Sequence, residues 1–377
     1  MKRYVKGAGM TKFGALDKNS QELCYEAITE ALEDADMSLT DIDEIVISKG
    51  ESVYDGERQR LFPGVLSSIL QDENIPMIRV TAACSGGGGA FWNAVHSEAN
   101  NVLVVGVEKL TSALTKYVTD DFMMASERIY EQSEGLNFPA QNALVAQQYM
   151  MKYGANSNDL ALVALKNHDN AFNNPKARFF GKKVTMDMIK KSPIVASPLR
   201  LFDCSISVNG AAAAIISKNK SDIEVAGYGM VTTNLSAIER EDMTSMEATV
   251  KASDAAYNMA GIKPSNVDIA ELHDAFTPLE LVSYEDLGFC KKGKGKDMIR
   301  EGITNINGKL PVNASGGLKA KGHPVSATGV SQIYELVNQM RKRAEKRQLN
   351  NTKIGLAHNV GGAGSTATVH ILKNIGG

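Results

Sequence analysis

A repeat within the chain constrains its fold more than any other feature. The segment VKGAGM at residues 5–10 recurs as VAGYGM at residues 225–230. A helical pattern follows each copy, and each helix leads through a short turn to a second strand pattern. Self-similarity on this scale indicates two copies of one structural unit. The sequence therefore predicts two homologous halves, residues 1–220 and 221–377.

The alternation of strand and helix patterns predicts the fold class. The first helix is expected to have Ser20 as its N-cap, and both helices carry alanines at i, i+4 spacing on one face. In each half a buried strand then runs through a glycine-rich turn into another helix, and an apolar strand follows at residues 102–107 and 354–357. Two such series predict an α/β sandwich. A polar insertion, at about residues 112–205, separates them and is expected to cap one face.

Composition excludes several classes of function. The chain has 377 residues, and its formal net charge of -2 gives no global attraction to nucleic acid or to anionic membranes. No apolar run reaches the ~18 residues that a membrane-spanning helix needs. The four cysteines include no CxxC pair, so the sequence predicts neither a disulfide framework nor a zinc site. A cytoplasmic protein without a bound metal is expected.

Cys84 is the first candidate for chemistry. It stands at a predicted strand-to-helix turn and is followed closely by four glycines, residues 86–89. A thiol at a helix N-terminus experiences the positive end of the helix dipole, which lowers its pKa and favours the thiolate. The glycines let a substrate approach the backbone and leave N–H groups free to hold an oxyanion. Taken alone, Cys84 fits a small buried hydrophobe equally well.

Histidines in turn-like motifs of the second half form the next candidate group. They are His273 in LHDAF, His323 in KGHP and His358 in AHNVGGAG. Metal binding by these three residues stays open at this point, although their spacing matches no zinc signature. The other three histidines are interpreted as structural: His96, His168 and His370.

At these motifs the sequence resembles the thiolase superfamily, most closely the sterol-carrier-protein type and the archaeal acetoacetyl-CoA thiolases. The similarity is densest over residues 271–364, which contain ELHDAF, NASGGL, KGHP, ATG and HNVGG. A cysteine turn, a His-Asp-x-Phe motif and a Gly-His-Pro motif in that order are specific for the superfamily and less specific for substrate. The resemblance implies an α/β thiolase fold, with two βαβαβαββ halves in an αβαβα layered sandwich and an inserted loop domain.

The resemblance also implies roles for the candidate residues. Cys84 would take the acyl group from one acyl-CoA, with His323 or His358 activating the thiol. His273 and His323 would polarise the thioester oxygen of the second acyl-CoA. The backbone N–H groups of Cys84 and Val360 would hold the oxyanion. Coenzyme A thioesters are the implied substrates, and no cofactor is implied.

One departure from the family pattern concerns the general base. Thiolases supply a second cysteine for this role, either in the motifs of His323 and His358 or, in the sterol-carrier-protein type, at the position of Ala275. This chain has no cysteine at either place. His358 is the predicted replacement, because an imidazole with a pKa near ~6.5 suits proton transfer at neutral pH. Cys290 lies near these motifs and is interpreted as structural.

Contacts with coenzyme A are harder to read from the sequence. Gly316, Gly317 and Gly361 are the predicted substrate-binding glycines. Recognition of the nucleotide phosphates by scattered lysines leaves no readable spacing. The insertion is the expected region, with Lys182-Lys183 and Lys291-Lys292 as candidate contacts.

The expected activity is that of an acetyl-CoA C-acetyltransferase, which joins two acetyl-CoA by Claisen condensation through an acyl-Cys84 intermediate and feeds the mevalonate route to isoprenoids. The alternatives are an acyltransferase or degradative 3-ketoacyl-CoA thiolase with a different acyl group or acceptor, and a thiolase-like scaffold subunit without turnover. The resemblance implies a homodimer or tetramer. It also implies two partners, 3-hydroxy-3-methylglutaryl-CoA synthase and a small zinc-containing OB-fold protein.

Overall fold

The computed structural model describes residues 2–50, 55–71 and 74–376. Strands and helices alternate along most of this length. The strands are β1 (Tyr4–Met10), β2 (Glu44–Ser48), β3 (Met77–Val80), β4 (Asn101–Glu108), β5 (Ile194–Ala196), β6 (Leu199–Arg200), β7 (Gly210–Ser217), β8 (Ile223–Thr232), β9 (Ile269–Glu271), β10 (Ile354–Gly361) and β11 (Thr366–Asn374).

The helices of the two halves are separated by the helices of the insertion. They are α1 (Ser20–Ala35), α2 (Phe62–Leu70), α3 (Gly86–His96), α4 (Thr115–Met123), α5 (Phe138–Tyr153), α6 (Ser157–Phe172), α7 (Met186–Lys191), α8 (Glu247–Ala260), α9 (Thr277–Asp286), α10 (Gly295–Arg300) and α11 (Thr328–Met340). Within the described residues, none of these helices has the length and apolar character needed to cross a bilayer.

One mixed sheet carries both halves. Its strand order is β3-β2-β4-β7-β1-β8-β11-β10-β9, so the two halves meet where β1 pairs with β8. β2 runs parallel to β3 and β4, and β10 runs parallel to β9, whereas the strands between them pair antiparallel. Val312 forms an isolated parallel bridge with Ala270 on β9 and thus occupies the place that β3 has beside β2. The two halves are built alike.

The helices form three layers around the strands. α3 and α11 contact each other and lie in the centre, where α3 contacts β4 and β11 and α11 contacts β7 and β10. α1 covers the outer side of the first half, and α8 covers the outer side of the second half. This layering agrees with the αβαβα sandwich that the sequence resemblance implies.

Close packing of strand and helix explains the repeated glycine motif. A Cβ atom on Gly7 or Gly9 of β1 would lie 2.2 Å from a backbone oxygen of α1, and a Cβ on Gly227 or Gly229 of β8 would lie 2.2 Å from one of α8. No side chain fits at this distance, and the facing helix residues are alanines. Each half therefore needs glycine in its first strand and small residues on the following helix.

The insertion covers the second half. α5 and α6 contact α9, and α6 also contacts α10 and the turn at residues 317–321. Short strands β5 and β6 form a separate ribbon before the chain returns to the main sheet at β7. The insertion therefore covers the second half on the side where α9, α10 and residues 317–321 lie.

Three boundaries differ from the sequence prediction. α1 begins at Ser20, but its N-cap is Asn19, whose side chain accepts a hydrogen bond from the backbone N–H of Glu22 in a capping box. α11 ends at Met340, whereas the sequence pattern predicts that this helix continues to about residue 343. β10 continues to Gly361, because the ladder with β11 extends through residues predicted as a turn. This last difference places His358 inside a strand.

Candidate active site

A strained turn presents Cys84. Ala83 has φ 46°, a left-handed conformation that is uncommon for a residue with a side chain. The turn is closed by hydrogen bonds from Ser85 N to Ala82 O and from Gly86 N to Ala83 O, each of 3.0 Å. Ser85 is the N-cap of α3, so Cys84 lies one residue before the N-cap. The turn therefore presents Cys84 at the N-terminus of α3.

Cys84 lines a cavity of about 170 Å³ together with two of the three predicted histidines. A single water needs only ~10–15 Å³ on this type of measure, so the cavity accommodates a small organic group. The first half, the insertion and the second half all contribute to its wall. The lining residues are Cys84, Thr119, Phe122, Phe138, Pro139, Asn142, Cys204, Ser205, Ser207, His273, Ala275, Phe276, Leu279, His323 and Gly362.

The thiol of Cys84 is less acidic than its position in the sequence suggests. Burial raises its pKa to about 12, and the carboxyl group of Glu108 raises it further. The backbone N–H of Cys84 itself acts in the opposite direction, which places this N–H next to the sulfur. The helix N-terminus is expected to lower the pKa of Cys84. Desolvation of the thiolate has the larger, opposite effect, so the pKa rises. Cys84 therefore rests as a thiol and needs a base.

Asn359 connects the Cys84 turn to the histidines. Its side-chain Nδ2 donates to the backbone oxygen of Cys84 over 2.9 Å and lies 3.1 Å from Nδ1 of His273. Its Oδ1 accepts from the N–H of Gly88 over 3.1 Å. One buried amide thus holds the nucleophile turn, α3 and a histidine in fixed relative positions.

The contact with Asn359 defines the tautomer of His273. Nδ2 of an amide can only donate, so Nδ1 of His273 accepts the hydrogen bond and the ring proton lies on Nε2. Burial, together with the nearby His323 and His358, lowers the pKa of His273 well below its usual value. His273 is therefore a neutral hydrogen-bond donor at the cavity.

His323 has the opposite tautomer. The hydroxyl of Thr328 donates to the backbone oxygen of Pro324 over 3.3 Å, so at 2.7 Å it accepts the Nδ1 proton of His323. Nε2 of His323 then carries a free lone pair. Burial, with a contribution from Lys321, lowers the pKa of His323 to about 3, which keeps the ring neutral. The two rings meet edge to face with centroids 5.3 Å apart, one as a donor and the other as an acceptor.

The structure does not bring His358 to this cavity. Successive side chains of a strand point to opposite faces, so Asn359 faces Cys84 and His358 faces away from it. The Nε2 atom of His358 lies 2.9 Å from the hydroxyl of Thr249 on α8, and the side chain is fully buried. Burial lowers the pKa of His358 to about 3. The predicted role as general base has no geometric support at this position.

The predicted oxyanion and glycine positions divide into two groups. Gly361 adjoins the nucleophile turn, since a Cβ there would lie 2.5 Å from the hydroxyl of Ser85. Val360 is buried beside it in the core of the second half. Gly316 packs against Ala171 and Gly317 against Asp274, both with positive φ, and none of these four residues lines the cavity. Gly362 lines it instead.

Sequence reasoning missed two residues of the site. Asn359 belongs to the HNVGG motif, but its contacts only become visible when β10 is placed beside the Cys84 turn. Cys204 lies at the end of the insertion, and no pattern in the sequence connects it with Cys84. Cys290 lies outside the cavity. Within the described residues, no group of three or more potential ligand side chains is arranged to hold a metal ion.

The family of the chain follows from comparison with known proteins. Residues 4–220 match the model of the thiolase N-terminal domain, and residues 229–374 match that of the thiolase C-terminal domain-like family. The chain therefore belongs to the thiolase family and is an acyltransferase that acts on coenzyme A thioesters.

Individual relatives extend over nearly the whole chain. Acetyl-CoA acetyltransferase of Methanothermobacter thermautotrophicus is 38% identical, covering 97% of this chain and 98% of its own. The benzoylsuccinyl-CoA thiolase subunit BbsB of Thauera aromatica is 33% identical, covering 96% and 95%.

Solved structures show the same fold. An Ltp2-ChsH2(DUF35) aldolase superposes with a TM-score of 0.85 at 24% identity, covering 99% of this chain and 98% of its own. Human mitochondrial 3-ketoacyl-CoA thiolase gives 0.76 at 17% identity, covering 99% of both chains.

Proposed function

We propose that this thiolase is an acetyl-CoA C-acetyltransferase, which condenses two acetyl-CoA to acetoacetyl-CoA and catalyses the reverse thiolysis. The observation that carries the proposal is the cavity in which Cys84 meets one donor histidine and one acceptor histidine. The names of relatives that are 38% and 37% identical, both acetyl-CoA acetyltransferases, support the acetyl group as substrate.

The first half-reaction acylates Cys84. Nε2 of His323 accepts the thiol proton, which the high pKa of Cys84 makes necessary. The resulting thiolate attacks the thioester carbon of acetyl-CoA. Coenzyme A leaves as a thiolate that must receive a proton, and the acetyl group stays on Cys84.

Hydrogen-bond donors in the cavity stabilise the negative charge on oxygen. The Nε2–H of His273 points to the thioester oxygen of the second acetyl-CoA and favours its enolate. The backbone N–H of Cys84, which lies beside its own sulfur, holds the oxygen of the acyl group. These donors are fixed before the reaction, so they stabilise charge without reorganisation.

A larger acyl group is the second candidate, because Cys84 also lines another chamber. This chamber of about 220 Å³ is mostly apolar, with Leu110, Phe122, Met124 and Val325 in its wall. The 33% identical benzoylsuccinyl-CoA thiolase subunit favours this alternative. A scaffold without turnover is disfavoured, because it would not need a thiol that lines both a histidine-containing cavity and an apolar chamber.

Partners and pathway are part of the proposal. The edge strand β3 carries the exposed Ile78, and an edge strand can pair with a strand of a second copy, which supports a homodimer or tetramer. The fold neighbour whose title names two components, Ltp2 and ChsH2(DUF35), supports a protein partner such as the small zinc-containing OB-fold protein. A complex with 3-hydroxy-3-methylglutaryl-CoA synthase would direct acetoacetyl-CoA into the mevalonate route.

Thiolysis of acetoacetyl-CoA tests the activity. Wild-type protein should form two acetyl-CoA from acetoacetyl-CoA and coenzyme A, and His323→Ala should lose about 10²–10⁴-fold in kcat. Cys290→Ala is the matched control and should stay within a few-fold of wild type, because Cys290 lies outside the cavity. Faster cleavage of an aromatic or long-chain 3-ketoacyl-CoA than of acetoacetyl-CoA would select the second candidate.

A further inference from the structure

The cavity contains a second thiol that the half-reactions above do not use. Cys204 lines the wall together with Cys84, His273 and His323. The sulfur of Cys204 has one hydrogen-bond contact, with the backbone oxygen of Arg200 at 3.6 Å. A thiol is a weak donor at such a distance, so the proton remains available for exchange.

The backbone around Cys204 is tied to the loop of His273. Ser205 N donates to Ala275 O over 2.7 Å, and Cys204 and Phe276 form an isolated antiparallel bridge. On the other side, the hydroxyl of Thr277 donates to Asp203 over 2.8 Å. Cys204 is therefore held beside Ala275 on the same wall as His273.

A buried positive charge lies behind this thiol. The side chain of Lys319 is 1% exposed, and its Nζ donates to the backbone oxygen of Phe202 over 3.2 Å. Burial raises the pKa of Cys204 to about 11, while the charge of Lys319 acts against this rise. Cys204 thus rests as a thiol, and Lys319 favours a transient thiolate.

The condensation needs a group that removes the α-proton of the second acetyl-CoA. His273 offers an N–H and no lone pair on the cavity side. His358 contacts Thr249 outside the cavity. His323 holds the Cys84 proton during acylation. Among the other lining groups, the thiol of Cys204 is a far stronger acid than the hydroxyls of Thr119, Ser205 and Ser207, so Cys204 is the best placed further proton-exchanging group.

We propose that Cys204 is a catalytic residue that transfers the α-proton in the condensation step. This inference rests on the proposed acetyl transfer through Cys84. It identifies Cys204 as the second thiol of the reaction, supplied by the end of the insertion.

The proton balance closes within the cavity. During acylation, His323 takes the Cys84 proton and the departing coenzyme A thiolate takes the Cys204 proton, which leaves an imidazolium and a Cys204 thiolate. The Cys204 thiolate then removes the α-proton of the second acetyl-CoA, and the carbanion forms the new carbon–carbon bond at the acetyl carbon on Cys84. The Cys84 thiolate leaves and takes its proton back from His323. The products are acetoacetyl-CoA and coenzyme A, with both thiols restored.

Cys204→Ala separates acylation from proton transfer. We expect the variant to acetylate Cys84 within about ten-fold of the wild-type rate, because the departing coenzyme A thiolate can also take its proton from solvent. No such substitute exists for the base that removes the α-proton, so kcat for condensation should fall by about 10²–10⁴-fold. Acetyl-CoA deuterated at the methyl group should slow the variant more than the wild type, because proton removal becomes rate-limiting. Cys204→Ser, with an isosteric but much less acidic group, should behave like Cys204→Ala.

Two results would overturn the inference while leaving acetyl transfer intact. One is condensation by Cys204→Ala within three-fold of wild type, which would assign the α-proton to His323. The other is an equal loss of acetylation and condensation in both variants, which would indicate damage to the cavity. Failure of the proposed function is distinct, since wild-type protein would then not acetylate Cys84 at all.

Discussion

The two halves of the molecule present their reactive residues on equivalent segments that are held in place in different ways. In the first half, Cys84 lies between β3 and α3. In the second half, His323 lies between the strand position of Val312 and α11. α3 and α11 cross in the central layer, so both segments end at the same cavity.

Backbone packing holds the Cys84 segment. A Cβ on Gly88 would lie 2.1 Å from the hydroxyl oxygen of Thr368, and a Cβ on Gly329 would lie 2.1 Å from the backbone nitrogen of Gly88. α3 and α11 therefore approach each other with no side chain between them. The nucleophile is positioned by steric fit, which leaves no room for a methyl group.

Buried charges and hydrogen bonds hold the histidine segment. Asp274, next to His273, accepts from the N–H of Leu318 over 2.6 Å, and Glu271 accepts from the N–H of Ser315 over 3.0 Å. Burial raises the pKa of Asp274 to about 6 and that of Glu271 to about 7. The comparison teaches that the first half is sensitive to volume, whereas the second half is sensitive to charge and pH.

Of the changes to these two segments, removal of the nucleophile should lower the activity most. Cys84→Ala should lower kcat for acetoacetyl-CoA thiolysis by about 10⁴-fold or more, because acyl transfer loses its acceptor. Steady-state assay of thiolysis, with Cys290→Ala as the control, measures the loss. Substantial remaining turnover would mean that the first half contributes no nucleophile.

Asn359→Ala should break the connection between the segments. The variant loses the hydrogen bonds to Cys84 O and Gly88 N and the donor to His273, so kcat/KM should fall by about 10²-fold through misplacement of the reacting groups. Asn258→Ala, an exposed change on α8, is the matched control. Equal activities of the two variants would show that the segments are positioned independently.

Gly88→Ala should test the steric character of the first half. The added methyl group meets Thr368, and we expect a loss of about 1–3 kcal/mol in the free energy of unfolding, measured by urea denaturation. Gly64→Ala on α2 has its nearest contact at 3.7 Å and should instead stabilise by about 0.5–1 kcal/mol. The same sign for both variants would contradict the close approach of α3 to Thr368 on β11.

Acid should weaken the second half through its buried histidines. Burial lowers the pKa of His358 and of His370 to about 3. Their stabilisation is complete above the unfolded pKa of ~6.5 and is lost as the pH falls towards the folded value, by up to about 2 kcal/mol per histidine between pH 7 and pH 5. Urea denaturation at both pH values measures the loss, and His370→Leu should reduce it. An unchanged pH dependence of the free energy of unfolding in that variant would show that His370 does not contribute to the loss of stability in acid.

The sequence predicted the fold and part of the site for identifiable reasons. The repeat of Gly7 and Gly9 as Gly227 and Gly229 reflects helix–strand contacts within each half, and such local packing leaves a readable pattern. The meeting of Cys84, His273 and His323 followed from family motifs.

The parts of the site that the sequence did not predict depend on contacts between segments that are distant in the chain. The AHNVGGAG motif is predicted as a turn, but the ladder with β11 extends β10 through it, which turns His358 away from the cavity and Asn359 towards the Cys84 turn. Cys204 reaches the cavity through bonds to residues 275–277, which no spacing in the sequence indicates.

The most direct test of the account is to locate the acetyl group after acetyl-CoA is mixed with the wild-type protein and the reaction is stopped with acid. Mass spectrometry of the peptides should find one acetyl group, on Cys84, and none in Cys84→Ala. Acetylation of Cys84 that disappears on addition of coenzyme A would agree with a reversible acyl-enzyme. An acetyl group on another residue, or none in the wild type, would contradict the assignment of Cys84 as the acyl acceptor.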